Sequence, residues 1–260
     1  MNTNYPCGAD ARGDWPRFPW PRFGWRRTLI MHLLPAFITL LAALALAPLM
    51  RAWHLPLNFS LDIAFGLVLT PLELGILLFA MHKATGRWTP HCLSAILAFR
   101  QPIRRWWFAV PVLFVVAVAV LLAWTPAKDA LATSLHGILP YWMLPSYDAT
   151  AGFSKPVLVA VALISLLIDG IINPTVEELY FRGYLLPRLP VRGWAMVPLG
   201  AFLFAIQHYW QPYNWGMIFV LECVLIACVM RARSFRLGIA MHVLVNTFGA
   251  LLTLISILGK

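Results

Sequence analysis

Hydrophobic continuity divides the chain into long apolar runs joined by short polar connectors. A bilayer core about 30 Å thick is crossed by roughly 20 apolar residues in a helix. Runs of that order lie at Leu29 to Met50, Leu61 to Met81, Trp107 to Thr125, Pro156 to Ile172, Ala195 to His208, Trp215 to Met230 and Leu237 to Leu258. The pattern predicts an all-α fold, a polytopic transmembrane helical bundle of seven spans. Leu131 to Tyr147 is also apolar, but Gly137, Pro140 and Pro145 interrupt it. It therefore reads as an interfacial or re-entrant piece, and counting it as a span gives eight. Residues 1–28 form a basic tail whose Trp15 and Trp20 suit the headgroup zone. The rest divides into N-terminal membrane helices, 29–155, and a C-terminal membrane core, 156–260.

Composition agrees, since 61% of residues are hydrophobic and 12% charged, against roughly 45 to 50% and 25% in soluble domains. A net charge of +10 raises the question of nucleic acid, and the placement of the charge answers it. With a cytoplasmic N-terminus, sixteen Lys and Arg fall on inner segments and four, Arg51, Lys128, Lys155 and Lys260, on outer ones. That asymmetry belongs to membrane orientation. The expected partner is the lipid bilayer, not nucleic acid, and the expected location the cell (inner) membrane. Cys7, Cys92, Cys223 and Cys228 show no C-x-x-C spacing, which predicts no disulfide framework or thiol metal site.

Ionisable side chains at membrane depth cost about 2.5 to 3.5 kcal/mol on insertion scales, so each calls for a reason. Asp62 reads as a solvated span end. Glu73, Asp169 and Glu222 read as hydrogen-bonding groups between helices. The C-terminal half holds a denser set. Pro174 breaks the preceding run, so Asn173 reads as the cap of a new helix with Glu177 and Glu178 in its first turn. Glu178 and Arg182 are then i, i+4 partners. Adjacent glutamates point about 100° apart, so one can pair with Arg182 while the other faces a cavity. Phe204 precedes His208 by four residues, and His242 and Asn246, also four apart, share one helix face. A carboxylate base, imidazoles and hydrogen-bond donors are the parts needed to hydrolyse an amide with water.

In these residues the chain resembles the CPBP, or abortive-infection, family of intramembrane proteases, which includes the type II CAAX prenyl endopeptidases. The family pattern E-E-x-x-x-R is similar to Glu177, Glu178 and Arg182, F-x-x-x-H to Phe204 and His208, and H-x-x-x-N to His242 and Asn246. The three occur in family order over about residues 156 to 258.

The resemblance implies a hydrolase that cleaves a membrane-anchored or lipid-modified, CAAX-like peptide substrate. Glu177 and His208 would activate the water, His242 and Asn246 would hold the oxyanion, and Glu178 and Arg182 would support them. It leaves two chemistries open, a glutamate protease with no cofactor and a metalloprotease in which Glu177, His208 and His242 bind a divalent metal such as zinc. A catalytically silent scaffold or bacteriocin-immunity factor and a proton-coupled transporter are the rival functions. Strict alternation of spans places His208 and His242 toward opposite ends of their helices, so convergence requires the span carrying His208 to be deeply set or tilted.

Overall fold

The computed structural model describes residues 20–103 and 106–259, so Trp15 and most of the N-terminal tail lie outside the described residues. Seven helical runs succeed one another: α1 (Trp25–Ala52), α2 (Phe59–Thr85), α3 (Ala109–Ser134), α4 (Lys155–Arg188), α5 (Gly193–Ile206), α6 (Pro212–Ala232) and α7 (Phe235–Gly259). All except α5 are long and apolar enough to cross a membrane. Among the described residues there are isolated bridges but no strand, as expected where every backbone polar group must be satisfied inside its own segment. The protein is an all-α helical bundle, with six long apolar helices and one shorter apolar helix among the described residues.

The outward faces are apolar. Leu67, Phe79, Val115, Leu122 and Ile255 are exposed, which suits contact with lipid. Polar residues turn inward, and Glu73, Asn173, Glu177, Glu178, Arg182 and Glu222 are all buried. Trp20 is buried against Ala98, Phe99 and Leu189 and donates its indole N–H to the Ala95 carbonyl at 3.1 Å.

Two helices depart from regular α geometry at matching places. In α2 a widened π-type stretch, Phe65–Leu69, precedes Thr70 and Pro71; in α4 another, Ile168–Ile172, precedes Asn173 and Pro174. A proline inside a helix lacks an N–H and crowds the carbonyl four residues back. A locally wider turn relieves both problems and lets the helix continue. The two widened turns pack together, and the Thr70 hydroxyl donates to Asn173 Oδ1 at 3.0 Å.

Pro174 therefore does not begin a new helix. Helix α4 runs unbroken from Lys155 to Arg188, and Asn173 has helical dihedrals and bonds Thr70 instead of capping. Leu131 to Tyr147 does not form a span: α3 extends to Ser134, and the chain beyond it is irregular, with one short turn at Tyr141–Met143. This strap is tied down by Tyr213, whose hydroxyl donates to the Met143 carbonyl at 2.8 Å, and by Tyr147, whose hydroxyl accepts from the Leu57 N–H at 3.3 Å. Cys223 and Cys228 are free thiols, whereas Cys92 is disulfide-bonded. Sequence spacing does not signal such a pairing, because it depends on which segments the fold brings within reach.

Candidate active site

A cavity of about 780 Å³ opens inside the bundle. Glu177, His208, His242 and Asn246 all line it, together with Asp169 and Glu222. The four residues singled out by the motifs therefore converge, although they come from α4, the turn after α5, and α7. The lining also draws on Asp62 and Phe65 of α2, on Leu113 of α3 and on the 141–147 strap. The N-terminal half thus builds part of the cavity wall.

The short helix α5 explains the convergence. Its regular part, Met196–Ile206, has 11 residues, about 16 Å at helical rise and roughly half a bilayer core. The turn carrying His208 therefore follows a helix too short to cross the bilayer by itself, which allows His208 to reach the cavity inside the bundle. A non-helical turn there needs internal partners, and it has them: the Gln211 N–H donates to the His208 carbonyl at 3.1 Å, and Trp215 Nε1 donates to the same carbonyl at 3.0 Å.

Phe204 is the packing hub that the F-x-x-x-H spacing conceals. Its ring centroid lies 5.0 Å from the His208 ring, 6.0 Å from the His242 ring and 5.1 Å from Phe181. The Arg182 guanidinium stacks over it at 4.1 Å, a cation–π contact in a dry setting. One aromatic side chain thus holds both histidines and the buried arginine in register.

Hydrogen bonds then set the histidine roles. His208 Nδ1 lies 2.8 Å from the Phe204 carbonyl oxygen. A carbonyl only accepts, so Nδ1 carries the proton and Nε2 is left as an acceptor. His242 Nδ1 lies 3.1 Å from Glu178 Oε1, and its Nε2 lies 3.8 Å from Glu177 Oε2. The two adjacent glutamates therefore grip opposite nitrogens of one ring. The Asn246 side-chain amide donates to the Asp169 backbone carbonyl at 3.0 Å, which fixes its orientation while a second N–H remains.

The Glu178–Arg182 pair forms as the i, i+4 spacing predicts, with Nη1 3.2 Å from Oε1. Both residues are almost wholly buried, at 0% and 1% exposed. Arg182 also binds Glu222 across to α6, so Glu222 is an interhelical partner, as its place in an apolar span suggests. The same role does not hold for Glu73, which is fully buried with no hydrogen-bond partner on either carboxylate oxygen. Asp62, in the first turn of α2, is half-buried: it lines the cavity and accepts from the Ser165 hydroxyl at 2.6 Å. Asp169 joins the cavity wall, and only its backbone carbonyl serves the neighbouring helix.

Among the described residues, no group of three or more His, Cys, Asp and Glu is arranged to hold a metal ion. Glu177 and His242 face each other, but His208 does not close a three-ligand set with them.

Residues 159–248 match the family model of the Rce1-like type II CAAX prenyl endopeptidases. The matched stretch contains all three motifs and agrees with the CPBP resemblance. Over that stretch, about a third of the chain, the sequence is similar to the Rce1-like endopeptidases. Comparisons with curated proteins and with solved structures found no match.

Proposed function

We propose that the protein is an intramembrane endopeptidase that hydrolyses a peptide bond in a membrane-anchored or lipid-modified substrate. The observation that supports this most is the convergence of Glu177, His208, His242 and Asn246 on one cavity, within a region similar to the Rce1-like endopeptidases. In this reading Glu177 takes a proton from water as the oxygen attacks the scissile carbonyl. His208 Nε2, free to accept, orients the same water. His242, as an imidazolium whose Nδ1–H is held by Glu178, donates its Nε2–H to the tetrahedral oxyanion, and the remaining N–H of Asn246 supplies a second donor. Glu177 then returns its proton to the leaving amine.

Phe65, Leu113, Met217, Leu221 and Val245 give the cavity wall apolar surface on which an acyl or prenyl chain could lie beside the peptide. The test is cleavage in liposomes of a peptide carrying a prenylated cysteine followed by three residues, beside its unlipidated counterpart. The expected result is cleavage of the first at a rate at least tenfold above the second. Failure to cleave either by a folded protein would favour the scaffold reading.

The proposal includes orientation, with the N-terminus and the loop from Lys83 to Arg105 cytoplasmic and the chain in the cell (inner) membrane, supported by the charge split. Arg87 is exposed in that loop. An Arg87→Cys variant is expected to resist an impermeant thiol reagent in intact cells and to react after permeabilisation. Reaction in intact cells would reverse the topology.

A further inference from the structure

Helix α7 carries a buried glycine one turn before His242. Gly238 and His242 are four apart and share a face. A glycine in a helix interior costs about 1 kcal/mol relative to alanine, so its presence in a buried stretch calls for a reason. The surroundings supply one. A Cβ built on Gly238 would overlap Glu178 Oε2 and lie 3.0 Å from Glu178 Cδ. Gly249 of the same helix has nothing within 4 Å of such an atom. At Gly66 and Gly183 the nearest obstacle is the end of a flexible Ile168 or Leu97 side chain.

The Glu178 carboxylate has nowhere else to go. Its Oε1 contacts both Arg182 Nη1, at 3.2 Å, and His242 Nδ1, at 3.1 Å. Arg182 is held on its far side by Glu222 and Phe204. Oε2 has no hydrogen-bond partner and rests against the bare backbone of Gly238. A methyl group there would push the carboxylate away from α7 and break its contact with the imidazole.

We propose that Gly238 is a positioning residue: it leaves the space in which Glu178 seats, and through Glu178 it fixes the protonation and orientation of the His242 ring. With Nδ1 bound to the carboxylate, Nε2 is directed toward Glu177 and the cavity. Without that bond the ring is free to exchange which nitrogen faces Glu177. The kinetic consequence rests on the peptidase reading; the effect on the ring does not.

The experiment compares Gly238→Ala and Gly249→Ala in the purified full chain, by nitrogen-15 NMR of labelled histidine, with the His242 signals identified from a His242→Gln sample. Wild type and Gly249→Ala should show His242 protonated at Nδ1. Gly238→Ala should shift those signals toward a mixture and lower kcat by about a hundredfold, the scale of a misplacement near 1 Å, with KM little changed. The same alanine is then placed in a Glu178→Asp background, where the carboxylate is one methylene shorter and clears the methyl. There it should change neither the melting temperature nor the His242 signals relative to Glu178→Asp alone. That comparison also decides the matter if Gly238→Ala fails to fold by itself. Unchanged His242 signals in folded Gly238→Ala, or equal damage in the aspartate background, would overturn the proposal. An inactive wild type would remove the peptidase reading and leave the spectroscopic result standing.

Discussion

Replacing Glu177 by glutamine is expected to lower turnover by about a hundredfold to ten-thousandfold while the protein stays folded, the usual size of a lost general base. Glutamine keeps the shape of the side chain and most of its hydrogen bonds but takes no proton from water. Structure and chemistry separate cleanly at this position. Arg182 is engaged by Glu178 and Glu222, whereas Glu177 lines the cavity and faces the His242 ring. The substitution therefore strands no buried arginine, and the melting temperature should change little. If substrate binding depends on the apolar wall, KM should hold while kcat falls, the signature of an interaction made only in the transition state. Bound metal measured on the same samples distinguishes the two chemistries, because loss of a ligand would lower metal content along with activity. A glutamine variant that matches the wild-type rate would remove Glu177 from the role of base.

Much of this arrangement is legible in the sequence because membrane helices announce themselves by length. Each long apolar helix corresponds to a run visible in the chain, and the i, i+4 spacing of Glu178 and Arg182 carries through to a contact. The unread parts share a physical cause, which is that they depend on what lies across a helix interface. Pro174 resembles a helix start because proline usually breaks a helix, but a widened turn before it lets α4 continue. Asn173 resembles a cap because its partner Thr70 lies more than a hundred residues away. The place of His208 on the cavity follows from the shortness of α5, and no motif records that length. Gly238 has no signature beyond its low helix propensity, since its role is the absence of an atom. Phe204 is visible as a motif position, but that it touches both histidines and Arg182 is not.

Replacing Arg182 by alanine should destabilise the protein by about 3 to 5 kcal/mol, the cost of leaving a buried charge without its partner. The guanidinium is 1% exposed. It spans Glu178 on its own helix and Glu222 on α6 while its plane lies over Phe204. Truncation strands two carboxylates and leaves a void against the ring, so yield and melting temperature in detergent should both fall. Lysine should rescue poorly, since a point charge cannot reproduce the planar fork that reaches two carboxylates and stacks on an aromatic face. A more informative partner is Arg182→Met with Glu222→Gln, which removes the cation together with one of its anions. Replacing a buried ion pair by neutral groups of similar volume is often close to neutral for stability, so this double variant should recover much of the lost melting temperature. Its activity should stay low, because Glu178 would have lost the arginine that holds Oε1 against His242 Nδ1. Stability and turnover should thus part company in one protein, which a purely structural salt bridge would not produce. Wild-type yield, melting temperature and rate in Arg182→Ala would show that the buried network neither supports the fold nor positions the histidine.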